Sequence, residues 1–537
     1  MSATSELPGT GVPSKGLKAN ALGLISSIVI GTASVAPAYS LAASLGFVVI
    51  EVGAQAPSIM LLAFVPMLFI AFGYKGLNEI DPDCGTTFTW GARVFGPKVG
   101  WIGGWAIIVA DVIVMANLAQ VAGQYTFTLF GAYGLAESPG WTEVAGLIWI
   151  ALMTLICYIG IEVSARMQVV LLSIELVMLF VLSITALVKV YGGKGISGSV
   201  HVSGSWFNPF DISSFSALSL GLLTALFIYW GWDTAVAINE ETRDSTKTPG
   251  RAALISTVLL LVTYVLVTVS AQAFAGLSET GSGLANPDNS DDVLSGLGSE
   301  VFGSVGFGWF LSKLLVLMVL TSASASTQTT ILPTARTALS MADHKSIPGV
   351  FARISPRFLT PTWSTIGMGI ASIGFYALLS QISTNVLSDS ISSLGLSIAF
   401  YYGLTGFTCA WHFAPRAFKP RSQGGGGAVL WQRFVLPLVG ALILFTFFVY
   451  GAYQFWNPDY GYTSWQMQFS PHWHIGGVFL IGVGSLILGI PLMYIYRAIR
   501  PAYFRGQVIR RGQWPEPVDG PAGGADASGT SAPDASR

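Results

Sequence analysis

Long apolar runs separated by short polar stretches dominate the chain, and their length predicts its class. A helix needs about 20 mostly apolar residues to cross the hydrocarbon core of a membrane. Twelve runs are long enough, and each predicts a membrane-spanning helix: 19–47, 52–74, 98–125, 143–161, 167–188, 214–238, 251–275, 304–330, 363–382, 389–413, 433–454 and 475–498. The pattern therefore predicts an all-α polytopic membrane protein.

The distribution of positive charge predicts how these helices are oriented. Cytoplasmic loops of membrane proteins carry an excess of Lys and Arg. With twelve spans and a cytoplasmic N-terminus, every Lys and Arg falls on the cytoplasmic side except Lys189, Lys194 and Lys313. A missed helix would scramble this asymmetry. We therefore expect a multi-pass protein of the cell (plasma) membrane with both termini in the cytoplasm.

The composition supports a lipid bilayer as the surroundings and excludes several other classes. Only 10% of the residues are charged, whereas a soluble protein carries about 25%. The net charge of −1 gives no electrostatic basis for binding nucleic acid. Cys84, Cys157 and Cys409 are too far apart to suggest disulfides or a metal site, and we interpret them as small buried hydrophobic residues. We expect no metal and no cofactor.

Polar and low-complexity stretches divide the chain into segments. The two ends are rich in small and polar residues, and a Gly-rich run interrupts the second half. The predicted segments are a disordered cytoplasmic N-terminus (1–17), a helical core (18–413, with helices 1–5 at 18–190 and helices 6–10 at 213–413), a flexible cytoplasmic loop (414–432), helices 11–12 (433–499) and a largely disordered cytoplasmic tail (500–537).

Two spans contain residues that interrupt a helix. In the first, the run Ile30–Pro37 combines Gly, Thr and Ser with a proline that cannot donate its N–H. In the sixth, Gly231 and Asp233 stand in the middle of the span. Each of these spans begins a set of five, and interruptions at matching positions of two halves point to a binding site. One interruption alone would favour a simple packing kink, but two with polar residues favour function.

The interruptions also suggest which chemical groups would bind. A half-helix that begins after a break presents free N–H groups and the positive end of its dipole, which suits a carboxylate. The side chain of Asp233 suits an amine or, alternatively, a proton.

Four segments of the chain resemble the amino acid–polyamine–organocation (APC) transporter superfamily, and together they extend over about residues 20–415. They are Gly31-Thr32-Ala33; Leu77–Gly85 with Phe95-Gly96-Pro97 and Gly103-Gly104-Trp105; Gly231-Trp232-Asp233 with Glu240–Arg243; and Ala335–Asp343 with Ile347-Pro348 and Thr360-Pro361. Their order and spacing are specific to the superfamily but not to a substrate.

The resemblance implies a LeuT-like fold, in which a five-plus-five inverted repeat with broken helices 1 and 6 is followed by two trailing helices. It implies alternating access around these two helices, coupled to protons. By the same resemblance, a substrate carboxylate would contact the backbone near Thr32, Ala33 and Ser34. The substrate amine would contact carbonyl groups of the sixth span near Tyr229, Trp230 and Gly231. Of these residues, Tyr229 matches an aromatic residue that gates the site in relatives.

Two positions depart from the pattern of the superfamily. Relatives usually carry a second glycine where this chain has Ala33, which leaves the pose of an α-amino-acid carboxylate open. Many relatives carry a lysine in span five that is implicated in proton coupling, and Glu175 stands at that position here. The coupling role therefore either passes to a carboxylate or is lost.

Three acidic residues lie at membrane depth, where an ionised side chain costs roughly 2.5–3.5 kcal/mol and is usually functional. Because burial favours the neutral form, each can take up a proton. We rank Glu175 first for proton coupling, Asp233 second and Asp111 third. The structural alternative is a neutral carboxyl that bonds neighbouring helices or, for Asp233, caps a helix. For Asp111 this alternative has equal weight.

Two further clusters have functional and structural interpretations. The hydroxyl-rich run Thr321–Thr330 in span eight favours close helix packing, but sodium-coupled members of the superfamily use hydroxyls of this span as ligands. Four charged residues near the cytoplasmic mouth either form an ion-paired gate or an ordinary interfacial cluster: Glu240, Glu241, Arg243 and Arg336.

These observations favour a secondary transporter (permease) of an amino acid or related amine. The alternatives within this class are a polyamine or organocation transporter, and sodium-coupled or exchange transport of amino acids. A membrane enzyme is disfavoured because the sequence lacks the common metalloprotease, hydrolase and phosphate-binding motifs. A channel would need a polar ring or filter, and a sensor would need a folded soluble domain.

Overall fold

The computed structural model describes residues 15–383, 385–466 and 474–515, and the fold is almost entirely helical. The first half contains α1 (Leu24–Val35), α2 (Pro37–Val52), α3 (Ala56–Asn78), α4 (Thr87–Phe95), α5 (Pro97–Leu129), α6 (Tyr133–Ala136), α7 (Pro139–Ile159) and α8 (Ile161–Tyr191). The second half contains α9 (Phe215–Tyr229), α10 (Thr234–Ala237), α11 (Thr248–Ala275), α12 (Val293–Phe302), α13 (Gly306–Asp343), α14 (Thr362–Ile382) and α15 (Val386–Ala417). The last helices are α16 (Leu436–Trp456), α17 (Gly477–Phe479), α18 (Ser485–Ile499) and α19 (Pro501–Phe504).

Short irregular elements connect these helices. Two π-helical segments, Val429–Val435 and Leu480–Gly484, lead into α16 and α18. Strands β1 (Ser464–Gln466) and β2 (His474–Gly476) form an antiparallel pair in which Trp465 lies opposite Ile475. The 3₁₀ turns are Gly53–Gln55, Gly204–Phe207, Pro209–Asp211, Asn239–Glu241, Pro287–Asn289, Gly349–Ala352 and Arg421–Gln423.

The protein is a multi-pass membrane protein, and nine helical segments of its described part are long and apolar enough to cross a membrane. The expected number was twelve, and three features account for the difference. Two predicted spans lie in one continuous segment, Leu24–Asn78, while the sixth is reduced to the 15 residues of α9. The tenth lies in α15, whose 32 residues include many serines that lower its mean hydropathy. The count of twelve stays a prediction.

Helix α5 lies at the centre of the bundle, in contact with α4, α7, α13, α14 and α15. In its apolar stretch 72% of the residues are buried, against 33% in the peripheral α7. The contact between α5 and α7 depends on small residues, because a side chain on Gly123 would collide with the backbone of Thr142. Close backbone approach at small residues is the usual way in which membrane helices associate.

The two chain ends, predicted as a disordered segment (1–17) and a largely disordered tail (500–537), are described only in part. Residues 1–14 and 516–537 lie outside the described residues, but the remainder of both segments is folded. Leu17 is buried, and Tyr503 is buried with its ring stacked on Phe88 at 5.4 Å. The disorder of both tails stays a prediction, and composition does not reveal the few apolar side chains that insert between helices here.

Candidate functional site

The first predicted interruption occurs later than expected and occupies a single residue. Helix α1 continues to Val35, and Ala36 adopts a left-handed conformation with φ 51° before α2 begins at Pro37. A proline disfavours helical geometry in the residue that precedes it. Thr32, Ala33 and Ser34 consequently lie in the last turn of α1 rather than in unwound chain, and their amides belong to that helix.

The second interruption separates α9 from α10. Trp230 is extended and Gly231 has φ 118°, a conformation that side-chain-bearing residues rarely adopt. Helix α10 starts at Thr234, which places Asp233 directly before it. The carboxylate of Asp233 does not cap α10 and is directed elsewhere.

The helix ends beside the two interruptions contact each other in the interior. The Ser34 hydroxyl lies 2.8 Å from that of Thr234, and the Ser326 hydroxyl donates to the Ser34 carbonyl at 2.8 Å. A Cβ atom on Gly231 would lie 2.9 Å from the carbonyl carbon of Ser34. The absence of a side chain at Gly231 therefore permits the two chain segments to cross, and α13 fixes the crossing through Ser326.

Several buried polar groups near these interruptions have no protein partner among the described residues. They are the hydroxyls of Thr32 and Tyr39 and the indole N–H of Trp232. Buried polar groups are normally hydrogen-bonded, and such exceptions need a water or a ligand. Thr32 is one of the residues whose backbone, by the family resemblance, would contact a substrate carboxylate, and its hydroxyl is among these unpartnered groups.

Asp233 is held by two tyrosines of α15. The hydroxyl of Tyr402 donates to Oδ1 at 2.8 Å and that of Tyr401 donates to Oδ2 at 3.2 Å. The indole N–H of Trp230 in turn donates to the Tyr401 hydroxyl. All four side chains are buried. Neither tyrosine is predicted from the sequence, where the one signal is that they are adjacent aromatic residues within an apolar span.

Tyr229 is also buried, but its hydroxyl is occupied. It donates to the carbonyl of Met60 on α3 at 3.1 Å, and its ring meets that of Tyr264 edge-on at 5.0 Å. Tyr264 donates to the Ile228 carbonyl at 2.7 Å. The end of α9 is thereby attached to α3 and α11.

Glu175 lies on α8 and contacts the start of α2. Its Oε1 accepts hydrogen bonds from the Ala38 amide at 2.7 Å and from the Ser322 hydroxyl at 2.8 Å. The Tyr39 amide donates to the Ser322 oxygen at 3.3 Å. The free N–H groups at the start of α2 are thus satisfied by a carboxylate and a hydroxyl, as helix N-termini favour.

Asp111, the third buried acid, accepts a hydrogen bond from the hydroxyl of Thr334. This contact joins α5 to α13 in the interior, where both side chains are buried. The three buried acids therefore lie at different places. Asp111 contacts α13, Glu175 contacts the start of α2, and Asp233 lies between α9 and α10.

The four predicted gate residues do not form a single cluster. Arg336 donates to both carboxylate oxygens of Glu241, at 2.7 and 3.0 Å, and both side chains are buried. Glu240 pairs instead with Lys15 at 2.5 Å. The exposed Arg243 donates its Nε to the carbonyl of Asn20 at 3.2 Å, so it lies outside the buried ion pairs.

Lys15 and Asp83 form a buried cluster of charges with Glu240, and neither was among the predicted gate residues. The ammonium of Lys15 lies 2.9 Å from Oδ2 of Asp83. Burial by itself lowers the pKa of an ammonium, but the carboxylates of Asp83 and Glu240 hold the pKa of Lys15 well above its usual value. Burial by itself raises the pKa of a carboxyl, yet Lys15 holds the pKa of Asp83 below its usual range. Both groups are therefore charged at neutral pH.

A cavity of about 740 Å³ lies at the opposite end of the bundle. Glu51, Asp288 and Asp291 line it, together with the aromatic side chains of Phe47 and Tyr462. Its described lining contains no Lys or Arg, so its electrostatic potential favours cations.

Comparisons with known proteins identify the family and the fold. The family model described as "Amino acid permease" matches residues 20–490, and the chain belongs to this family, which lies within the APC superfamily. Cationic amino acid transporter 4, vacuolar, of Arabidopsis thaliana is 25% identical over 358 residues, which cover 63% of this chain and 54% of that protein. The match therefore spans about half the length of that relative.

Two further matches extend the comparison. The low-affinity putrescine importer PlaP of Escherichia coli is 21% identical over 383 residues, which cover 71% of this chain and 78% of that protein. The crystal structure of MhsT in complex with L-phenylalanine aligns with a TM-score of 0.54 and 14% identity, covering 79% of this chain and 98% of that one. At this identity the match to MhsT shows a shared fold.

The crossing of the two interruptions predicts a strong effect of Gly231→Ala. The new Cβ would meet the Ser34 backbone, and its φ of 118° is unfavourable for alanine. We expect a loss of roughly 1–3 kcal/mol of stability and a lower Tm in detergent. Gly374→Ala is the control, because Gly374 lies in α14 with open space around it. Equal Tm values for the two variants would contradict the proposed role of Gly231.

Proposed function

We propose that this protein is a secondary transporter that moves an amino acid or a related amine across the membrane by alternating access. The observation that carries the proposal is the contact between two interrupted helices at Ser34 and Gly231, with the buried Asp233 beside them. Irregular backbone at membrane depth is tolerated where it is buried in protein or lines a cavity. Membership of the amino acid permease family supports the proposal.

We place the substrate amine near Asp233 and the end of α9. The last carbonyls of a helix lack intrahelical partners, and those of Tyr229 and Trp230 lie at such an end. The carbonyl of Gly231, the third proposed contact, also accepts from the Thr234 amide at 3.1 Å. An ammonium group would replace a tyrosine hydroxyl as the partner of the Asp233 carboxylate. A substrate carboxylate would lie near Thr32, Ala33 and Ser34, where the Thr32 hydroxyl is unpaired.

The placement of the amine at Asp233 predicts that removing the charge of this carboxylate weakens binding of the substrate. Asp233→Asn replaces a charged acceptor by a neutral one, and a hydrogen bond to a charged group contributes about 1.5–3 kcal/mol. We expect the Kd for the amine substrate to rise about tenfold or more. Equilibrium binding of radiolabelled candidate amino acids and amines to purified protein measures this change.

The matched control is Tyr402→Phe, which removes one hydrogen bond to Asp233 and retains the carboxylate. It should raise Kd less than Asp233→Asn does. If both variants bind like the unmodified protein, Asp233 does not contact the substrate.

We propose proton coupling through Glu175. While ionised, its carboxylate occupies the start of α2 through the Ala38 amide. A protonated carboxyl is a weaker acceptor, so protonation would release that amide and weaken the attachment of α2 to α8. Proton uptake would thereby be linked to movement at the first interruption, next to the proposed substrate site. Asp233 and Asp111 are the second and third candidates.

This mechanism predicts that Glu175→Gln removes the effect of a pH gradient on transport. In proteoliposomes, uptake by the unmodified protein should rise when the exterior is more acidic than the lumen. The Gln variant should retain exchange of substrate but lose this drive, since its amide side chain does not titrate. Asp111→Asn is the control variant and should retain the response to the gradient. An unchanged gradient response in Glu175→Gln would exclude Glu175 as the coupling group.

Sodium coupling is the second candidate mechanism, and the hydroxyls of α13 favour it. The Ser322 hydroxyl contacts Glu175, and the Ser326 hydroxyl contacts the Ser34 carbonyl. The oxygen atoms of these four groups would be suitable ligands for a small cation. Uptake that requires sodium and does not respond to pH would support this alternative.

We propose that Glu241 and Arg336 form part of the cytoplasmic gate, in a protein of the plasma membrane with both termini in the cytoplasm. Breaking a buried pair by removing one partner is strongly destabilising, so the pair would favour the closed cytoplasmic side. Opening would have to rehydrate both charges. Glu240 contributes through its contact with Lys15.

Cationic solutes are the substrates that we favour among amines. The acidic lining of the outer cavity and the buried Asp233 both favour positive charge. The names of two relatives, a cationic amino acid transporter and a putrescine importer, support the same class. Polyamines therefore remain the alternative to amino acids.

A further inference from the structure

Lys15 precedes the first helix but is buried between two carboxylates at the cytoplasmic end. Its side chain is 3% exposed. Its ammonium lies 2.9 Å from Asp83 and 2.5 Å from Glu240, and those side chains are 3% and 1% exposed. A lysine is almost never buried to this degree unless it is paired.

The two carboxylates belong to elements that are far apart in the chain. Asp83 lies between α3 and α4, where its Oδ1 accepts from the Gly85 amide and the Ser340 hydroxyl, both at 2.7 Å. Glu240 follows α10 and accepts from the Cys84 amide at 3.0 Å. Lys15 thus joins the segment before α1 to the chain after α10 and, through Asp83, to α13.

We propose that Lys15 is a latch, a removable counter-ion that keeps the cytoplasmic side closed and must leave Asp83 and Glu240 before that side opens. The proposal rests on the proposed transport function, because a latch is needed only if this side opens. It adds the segment before α1 to the gate.

The physical basis of the latch is repulsion between the two acids. Ligand atoms of Asp83, Cys84 and Glu240 lie within 4.8 Å of one another. Two carboxylates at this distance repel each other in a buried site unless a cation lies between them or one takes up a proton. Lys15 supplies that cation. When Lys15 leaves and both acids stay ionised, their repulsion favours separation of the elements that carry Asp83 and Glu240.

The surroundings provide a route by which Lys15 can leave. A cavity of about 260 Å³ is lined by Lys15, Asp83, Arg510 and Trp514. The ammonium can therefore become hydrated without crossing the apolar interior. The apolar side chain of Leu17, packed beside Cys84 and Leu339, holds the segment in place while the latch is closed.

Cys84 provides a native probe of the latch. It is buried beside Glu240, and burial together with the Glu240 charge raises the pKa of its thiol well above the usual value. Alkylation by N-ethylmaleimide requires the thiolate and access. The closed latch should therefore protect Cys84, and opening should expose it. Cys157 and Cys409 are also buried and report on general unfolding.

The experiment compares N-ethylmaleimide labelling of the full-length protein and its Lys15→Gln variant in detergent, with mass spectrometry to locate each adduct. We expect the labelling rate of Cys84 to rise about tenfold or more in the variant, with no change at Cys157 or Cys409. Lys18→Gln is the matched control, because Lys18 pairs with Glu162 at 2.9 Å on the exposed surface. Such pairs contribute little, so its Cys84 should stay protected.

Unchanged labelling of Cys84 in Lys15→Gln overturns the proposal. Equal increases at all three cysteines also overturn it, because Lys15 would then support the whole fold rather than one gate. The double variant Lys15→Gln, Glu240→Gln removes the repulsion, and the latch predicts that protection of Cys84 returns. Persistent exposure in that variant contradicts the mechanism. Because labelling needs no substrate, this result is independent of whether transport itself is observed.

Discussion

The contact between Ser34 and Gly231 is the constraint on which the rest of the site depends. Two chain segments beside breaks in helical geometry can meet at membrane depth only if their backbones approach closely and their polar groups find partners. Gly231 provides the approach, and Thr234 and Ser326 provide partners for Ser34. Asp233 lies two residues after Gly231, and its buried carboxylate contacts Tyr401 and Tyr402 of α15.

Each charge described in the interior has a specific partner, and the type of partner indicates its role. The tyrosine hydroxyls at Asp233 are neutral, and we propose that a cationic ligand replaces one of them. The helix N-terminus at Glu175 favours the ionised carboxylate, so proton uptake would weaken that contact. At the end of the bundle where the chain enters α1, Arg336 and Lys15 neutralise acids through buried ion pairs, and we propose that these pairs break when the cytoplasmic side opens.

The sequence predicts the apolar helices, the family and the buried acids, because each follows from local composition or motif. It locates the first interruption only approximately, since Pro37 affects the residue before it while the polar residues further upstream remain helical. Tyr401 and Lys15 escape sequence reasoning for a different reason. Tyr401 contacts Asp233, which is 168 positions away in the chain, and Lys15 contacts Glu240, which is 225 positions away. No local sequence pattern records such distant contacts. The inverted repeat stays a prediction.

A structure of the protein with a bound amine or amino acid would test the central claim most directly. The account predicts density for the ligand between the two interruptions, with its ammonium within hydrogen-bonding distance of Asp233 or of the carbonyls at the end of α9. It also predicts that at least one tyrosine hydroxyl has moved away from Asp233. A ligand bound only elsewhere, with Asp233 still held by Tyr401 and Tyr402, would contradict the account.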